Sequence, residues 1–281
     1  MEKKSRRHFF KFSLSTTLIS GVIALLMFRA SYWQWTRHEA KIALIAELEN
    51  RMQQEILNQN ELVNFKNDWS QLIHRKVNVT GNFDFDKEMI LRNRRYKKTP
   101  GFYVITPFKL ANSETAILVN RGFIPDKQSD PESRIQFRNY PGQISFYGLI
   151  KDTMNRKFLA PEDPPAGENN KWVDAWLRVD IQHMQKQVPY KLLPVYLEFI
   201  ATNSAEISLE QIVKSDVDKT DMLFLPSRSE TLSTQDEART YPIPQVNTYV
   251  PPGRHLGYVF EWIILALITI AIGFIAQLKR N

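Results

Sequence analysis

Two long apolar runs lie at opposite ends of the chain and enclose a polar middle. Residues 12–28 contain no charged side chain, and residues 257–276 contain Glu261 as their single charge. At about 1.5 Å of rise per residue, the first run covers roughly 26 Å as a helix, which is close to the thickness of a bilayer's hydrocarbon core. The pattern therefore predicts two membrane-spanning helices, at 12–32 and 257–276.

Each apolar run has a second interpretation. The first is also compatible with a cleavable signal peptide, because a basic segment precedes it. No A-x-A-like cleavage site follows, and the run continues directly into a helical pattern, so a retained helix is favoured. The second run is also compatible with a buried helix of a soluble protein, but residues 263–275 lack the polar stripe that a surface helix needs. Two spanning helices remain the prediction.

The middle of the chain shows one long helical pattern followed by strand-like patterns. Apolar residues recur at three- and four-residue steps over 36–58, which predicts an amphipathic helix continuous with the first span. We expect an α+β fold, in which an antiparallel sheet or small barrel and a few helices lie between the two transmembrane helices. Strands are predicted at 75–82, 88–94, 101–110, 115–123, 142–150 and 195–201, a short helix with Asp180 as its N-cap at 180–187, and loops at 161–170 and through most of 203–248.

The net charge of +7 is concentrated at the two ends. Residues 1–37 carry seven Lys or Arg against one Glu, and residues 254–281 carry three against one, so the stretch between them is close to neutral. A neutral domain offers no basic face for DNA or RNA, and we expect no nucleic-acid partner. The positive-inside rule places both termini in the cytoplasm, or in the mitochondrial matrix. Because the basic start lacks an obvious transit peptide, we predict a bacterial inner-membrane protein with residues 1–11 and 277–281 in the cytoplasm and 33–254 in the periplasm.

The sequence offers little that would support catalysis. It contains no cysteine, which excludes disulfides, thiolate metal sites and a cysteine nucleophile. Its five histidines form neither an H-x-x-x-H nor an H-E-x-x-H pair, and no nucleophile elbow or phosphate-binding glycine loop occurs. The carboxylate pair Asp84 and Asp86 is typical of solvated turn residues. We predict that the protein is not an enzyme.

Four segments carry a recognisable pattern in a fixed order. They are Tyr-Trp-Gln-Trp-Thr-Arg at 32–37 with its continuation at 44–51, Val-Thr-Gly-Asn-Phe-Asp at 79–84 with Gly-Phe-Tyr-Val-Ile-Thr-Pro-Phe at 101–108, Leu-Val-Asn-Arg-Gly-Phe-Ile-Pro at 118–125, and Arg-His-Leu-Gly-Tyr-Val-Phe-Glu-Trp at 254–262. Together they resemble the surfeit-locus family of cytochrome c oxidase assembly factors, over nearly the whole chain. Two positions depart from the family pattern: Ser31 stands for a usual Gly, and Glu261 for a usual Gln. Serine is small enough to keep close helix packing.

The resemblance implies a non-enzymatic role in building the haem-copper oxidase, by aiding haem A insertion into its catalytic subunit or by stabilising that subunit. Some bacterial members are held to bind haem A through a histidine at the head of the second span, which is His255 here. The implied partners are the oxidase catalytic subunit, haem A synthase and membrane lipid. The candidate haem-binding residues are His255 as the iron ligand, Arg254, Tyr258, Trp262 and Trp33, and the candidate partner-binding residues are Gln34, Arg37 and Arg121.

Other interpretations of these residues stay open. Arg, His, Tyr and Trp prefer headgroup depth, so the residues at the mouths of both spans are also compatible with a simple interfacial belt. Arg121 is also compatible with an ordinary buried ion pair beside a glycine turn. At the level of function, the alternatives are a bitopic-type envelope scaffold that binds only other membrane proteins, without haem, and a periplasm-facing hydrolase.

Overall fold

The computed structural model describes two compact units, and each is treated by itself. Its described residues are 8–96, 99–154, 156, 159, 161–163, 172–203, 241–244 and 252–280, with the backbone alone for 8, 9, 252–254, 279 and 280. The terminal unit comprises, among these, residues 8–47 and 252–280. The central domain comprises the described residues from 48 to 203 together with 241–244.

The terminal unit is built from two helices and two short strands. Its elements are β1 (His8–Phe10), α1 (Leu14–Gln53), α5 (Pro252–Ile275) and β9 (Leu278–Arg280), where the last turns of α1 from Leu48 onward belong to the central domain. Within the described residues, segments of α1 and α5 are the helices long and apolar enough to cross a membrane. The two predicted apolar helices and the continuity of the first with the amphipathic segment are therefore confirmed, although α1 ends at Gln53 and not near residue 58. The bounds of the membrane-spanning segments, 12–32 and 257–276, stay a prediction.

The central domain is a sheet curled into a barrel, with short helices at its edges. Its helices are α2 (Gln59–Val63), α3 (Pro131–Arg134) and α4 (Ile181–Met184). Single 3-10 turns occur at Trp69–Gln71, Phe85–Lys87, Asp126–Gln128, Ile135–Phe137 and Gln185–Gln187. Its strands are β2 (Lys76–Phe83), β3 (Met89–Tyr96), β4 (Thr99–Leu110), β5 (Thr115–Pro125), β6 (Ile144–Asp152), β7 (Ala175–Trp176) and β8 (Lys191–Ala201).

Five of these strands close on themselves. The order is β2-β6-β8-β5-β4, and the end of β4 pairs back onto β2, with Gly81 opposite Leu110. Closure needs a close approach of backbones at Gly81, where a Cβ atom would lie 2.0 Å from the Lys109 carbonyl oxygen. Gly101 on β4 is equally constrained, because its Cβ would lie 2.1 Å from the Ile124 carbonyl oxygen. β3 pairs with the first half of β4, and β7 pairs with β3, so both strands lie outside the closed ring.

Alternation along the strands supplies the barrel interior. On β2, Val77, Val79, Gly81 and Phe83 are buried while the residues that alternate with them are more exposed, as a period of two requires. The ring of Phe108 lies 4.9 Å from that of Phe83 and 5.0 Å from that of Phe146, both edge-on, which is a favoured aromatic geometry. A second buried cluster, around Trp176, packs elsewhere in the domain.

Most of the predicted elements are confirmed, with boundaries shifted by a few residues. The barrel is mainly antiparallel, as predicted, but β5 and β8 pair in parallel. Asp180 is an N-cap, because its carboxylate accepts a hydrogen bond from the His183 amide. α4 is shorter than predicted and continues as a 3-10 turn. The loops predicted at 161–170 and within 203–248 fall mostly outside the described residues.

His74 gives the central domain an acid-sensitive feature. Its backbone has φ of 66°, and burial, together with the charges of Lys151 and Arg51, lowers its pKa from 6.5 to about 4. The unfolded chain therefore binds more protons between these pH values, and stability should fall as pH drops through that window. Asparagine tolerates positive φ, so His74→Asn should fold normally. We expect it to reduce the acid-induced loss of folding free energy by about 1–2 kcal/mol, a value that allows for the partly exposed ring.

The measurement is urea unfolding of the full chain in detergent at pH 7 and pH 5. The difference between the two midpoints should be smaller for His74→Asn than for the wild type. An unchanged difference would show that other groups cause the acid sensitivity.

Candidate functional site at the paired terminal helices

The two terminal helices pack against each other along a stripe of small residues. Ala24 and Ser31 on α1 are buried, and so are Val259 and Ala266 on α5. Each pair is seven residues apart, which is the spacing of positions that face a partner in a helix pair. Small residues at such positions let helix backbones approach closely within a membrane. The two helices therefore form an antiparallel hairpin-like pair whose ends differ in chemistry.

At the end of the pair near the chain termini, hydrogen bonds of Gln277 hold the two helices together. Its side-chain oxygen accepts a hydrogen bond from the Ser13 amide at 2.9 Å, and its amide nitrogen donates to the Gly273 carbonyl at 2.9 Å. Gly273 lies so close to Ser20 that a Cβ atom would be 2.5 Å from the serine hydroxyl oxygen. This end is a structural fastening.

The opposite end of the pair holds the residues that the sequence singled out. The Ser31 hydroxyl donates to the Val259 carbonyl at 3.2 Å, which confirms that serine permits close packing at this position. One helical turn further along α1, Gln34 Oε1 lies 2.8 Å from His255 Nδ1. The structure thus brings Gln34 and His255 into direct contact.

This contact decides the chemistry of the imidazole. When Gln34 Oε1 accepts the hydrogen bond, Nδ1 of His255 carries the proton and the lone pair stays on Nε2. A metal-binding histidine typically donates its other ring N–H to an oxygen in this way, which fixes the tautomer and the ring orientation. Within the described residues, no group of three or more His, Asp or Glu side chains could hold a metal ion by itself.

The neighbouring aromatic residues divide between the two helices. Tyr258 and Trp262 are half-buried and follow His255 by three and seven residues, so they share its face of α5. Trp33 is about half exposed, and the Arg37 guanidinium lies 5.5 Å from its ring centre. The side chain of Arg254 lies outside the described residues.

Arg121 lies in the interior of the central domain. Its guanidinium donates to Glu88 Oε2 at 2.9 Å and to the Phe137 carbonyl, and the rings of Phe83 and Phe85 lie 5.3 and 4.9 Å from it. Only 4% of Arg121 is exposed. This burial favours the ion-pair interpretation, and the partner-binding role stays a prediction.

Glu88 is the centre of that buried network. Arg134 lies 3.5 Å from Glu88 Oε1 and also pairs with Asp174. The Thr106 hydroxyl donates a hydrogen bond to Glu88 Oε2 at 3.2 Å. Burial raises the pKa of Glu88, while the two guanidiniums and the hydroxyl act in the opposite direction. Sequence reasoning missed Glu88 and Arg134, because nothing in their local pattern indicates that they meet.

The Asn-Arg-Gly stretch, where the sequence predicts a turn, lies inside β5 and forms a β-bulge opposite Val104 and Ile105 of β4. Asn120 Oδ1 accepts a hydrogen bond from the Gly122 amide at 3.1 Å, and Gly122 has φ of 127°. A Cβ atom at Gly122 would lie 2.1 Å from the Ile243 carbonyl oxygen. Ile243 and Phe123 exchange two backbone hydrogen bonds at this point. The glycine therefore lets a distant segment pair with β5.

Comparison with known proteins gives one consistent result. A family model described as the SURF1 family matches residues 21–267, which includes most of both terminal helices. Surfeit locus protein 1 of Mus musculus is 36% identical over 166 residues, covering 54% of this chain and 52% of that protein, and the Homo sapiens protein is 33% identical over 167 residues, covering 54% and 53%. A SURF1-like protein of Caenorhabditis elegans is 31% identical over 216 residues, covering 70% and 63%. The chain spans about half the length of the vertebrate relatives it matches.

Proposed function

The chain belongs to the SURF1 family, and on that basis we propose that it is a membrane-bound, non-enzymatic assembly factor for cytochrome c oxidase. The observation that carries the proposal is the family match over residues 21–267, which takes in the central domain and most of both apolar helices. Its partner is the catalytic subunit of the oxidase, with haem A synthase as a second membrane partner.

We propose further that the cargo is haem A, held at the His255 end of the helix pair. The support is the contact between Gln34 Oε1 and His255 Nδ1, because a proton on Nδ1 puts on Nε2 the lone pair that would bind the haem iron. Tyr258 and Trp262 lie on the same helix face and offer apolar ring surface to a macrocycle. When bound, haem would supply the iron centre that this nitrogen would hold. Arg254, beside His255 in sequence, is the candidate partner for a propionate.

The aromatic residues of α1 support a second role for this end of the pair. Tyr32, Trp33 and Trp35 are all substantially exposed and point in different directions around the helix. Aromatic residues placed around a helix in this way are typical of an anchor at the membrane–water interface. The Arg37 guanidinium, which lies over the Trp33 ring, is also suited to the depth of the lipid headgroups. We therefore assign Trp33 and Arg37 mainly to this membrane anchor, with binding of haem or of a partner protein as a secondary role.

The topology that we propose has both termini in the cytoplasm of a bacterium and the central domain in the periplasm. β1 pairs with β9, so the segments before α1 and after α5 lie side by side. Both segments are basic, and the positive-inside rule places such ends on the cytoplasmic side.

Deletion of the coding sequence tests the proposed function. The deletion strain should contain less a-type haem in its membranes and show lower cytochrome c oxidase activity, and the wild-type chain should restore both. Succinate dehydrogenase activity is the control and should not change. Normal oxidase haem content in the deletion strain would contradict the proposal. A general envelope defect with normal oxidase would favour the haem-free scaffold.

A further inference from the structure

A pocket of about 130 Å³ opens on the central domain beside Arg121. Its walls come from β5, from the end of β8 and from two loop segments. The lining residues are Arg121, Asn139, Tyr140, Phe199, Pro242 and Pro244. These six residues include one cation and no carboxylate, so the pocket favours an anionic ligand.

Part of the Arg121 guanidinium has no hydrogen-bond acceptor among the described residues. One N–H group donates to Glu88 Oε2 at 2.9 Å, and another donates to the Phe137 carbonyl. A guanidinium carries five N–H groups, so three remain. The Phe137 carbonyl also accepts from the Asn139 amide at 2.7 Å, so the guanidinium reaches the loop that forms one wall of the pocket. Buried donors without an acceptor are costly, and a ligand oxygen in the pocket would remove that cost.

The charges around Arg121 also favour an anion. The buried ionisable side chains of its network are Arg121, Arg134 and Glu88, so two cations share one carboxylate. Asp174, which also pairs with Arg134, has a side chain that is 30% exposed. Water and salt screen an exposed carboxylate more than a buried one, so the buried part of the network is positive on balance.

The apolar walls limit the shape of the ligand. The rings of Tyr140 and Phe199 stack with their centres 5.9 Å apart, and Pro242 is buried beside them. A cavity of about 150 Å³ accepts a benzene ring, so a group of about six heavy atoms fits this pocket. A carboxylate on a short carbon stem has this size, and it combines an anionic end with an apolar one.

We propose that this pocket binds a carboxylate carried by a short apolar stem, with the Arg121 guanidinium as its charge partner. The carboxylate oxygens accept hydrogen bonds from the remaining N–H groups, and the stem packs against Tyr140 and Phe199. Such a group comes either from a free small carboxylic acid or from a glutamate side chain of another polypeptide. The site lies within the central domain and does not depend on His255 or on the proposed cargo.

The test measures butyrate binding to the full-length protein in deuterated detergent by saturation-transfer NMR. Butyrate matches the pocket in size and has one charged end. The wild type should give saturable transfer to the butyrate methyl group, and butyramide, the neutral isostere, should give none. Arg121→Met should weaken butyrate binding by roughly 10–100-fold, the loss expected when hydrogen bonds to a charged group are removed.

Arg138→Met is the matched control. It removes a guanidinium from the loop next to the pocket, but the Arg138 side chain is 39% exposed and is not part of the lining. This variant should bind butyrate like the wild type. Equal losses in Arg121→Met and Arg138→Met, or equal binding of butyrate and butyramide, would overturn the proposal.

Tyr140→Gly tests the pocket without removing the buried ion pair. Tyr140 has φ of 66°, which glycine adopts easily, so the variant should fold while the wall over Phe199 is lost. Its affinity for butyrate should fall by roughly 3–10-fold. Unchanged affinity in Tyr140→Gly would contradict binding in this pocket, even where Arg121→Met fails to fold.

A short peptide identifies the source of the carboxylate. The probe is an acetylated and amidated Gly-Glu-Gly peptide, added in competition with butyrate, and its control is the same peptide with glutamine. Competition by the glutamate peptide alone supports a polypeptide carboxylate, and competition by neither peptide supports a free acid. Equal competition by both peptides would contradict a carboxylate site.

Discussion

Replacing Arg121 by methionine is expected to lower the free energy of unfolding of the central domain by about 3–5 kcal/mol. Arg121 is 4% exposed, and its guanidinium pairs with Glu88 at 2.9 Å. Without it, the buried carboxylate keeps Arg134 as its charged partner, at 3.5 Å, and the Phe137 carbonyl loses a donor. A buried ion that loses its partner costs far more than a surface pair contributes. Urea unfolding of the full chain in detergent, followed by tryptophan fluorescence, measures the loss.

Arg138 provides a control in the same neighbourhood. It also lies over the Phe85 ring, at 5.9 Å, and pairs with the exposed carboxylate of Asp86 at 3.5 Å. Its side chain is 39% exposed, so Arg138→Met should cost less than about 1 kcal/mol. The double variant Glu88→Leu/Arg121→Met should be less destabilised than the sum of its single changes. Equal costs for Arg121→Met and Arg138→Met would show that the buried network does not stabilise the barrel.

The second large effect is expected at His255. Full-length protein purified from cells that make haem A should show a Soret band, and His255→Ala should lose it almost completely. Gln34→Leu removes the acceptor of the His255 Nδ1 hydrogen bond, so it should weaken haem retention by about 10–100-fold. Gln34→Glu keeps an acceptor at the same place and should restore most of the band.

His38→Ala is the matched control for that experiment. His38 is half-buried on α1 and packs against Trp35 at 5.9 Å, and the change removes an imidazole of the same kind. Its haem content should equal that of the wild type. A Soret band of full strength in His255→Ala would show that His255 is not the iron ligand. An equal loss of the band in His38→Ala would indicate a non-specific effect.

Local patterns were enough to predict much of the fold. An uncharged run such as 12–28 predicts a membrane helix without any knowledge of its neighbours. Alternation of Val77 and Val79 with polar residues likewise predicts a half-buried strand. Both signals are properties of consecutive residues, and the structure has a long apolar helix and a strand at these two places.

Long-range features could not be predicted in the same way. The parallel pairing of β5 with β8 and the closure of β4 onto β2 join residues that are distant in sequence. Gly81 and Gly101 are needed because a second backbone approaches them, and that approach is invisible in a single strand. The network of Glu88 with Arg121 depends on the same closure.

The sequence predicts only part of the candidate site, because the rest depends on contacts between distant segments. The face of α5 that carries His255, Tyr258 and Trp262 follows from helical spacing alone. Its contact with Gln34 depends on the register between α1 and α5, which is set by buried residues such as Ser31. Spacing along one helix does not specify the register with another helix.

We propose that the His255 end of the helix pair delivers haem A to cytochrome c oxidase. The most direct test is the a-type haem content of the oxidase catalytic subunit, purified from a deletion strain that produces only the His255→Ala form. Membrane levels of the wild-type and variant chains must first be shown to be equal. We predict a haem content close to that of the deletion strain. A haem content equal to that of cells producing the wild-type chain would contradict the claim.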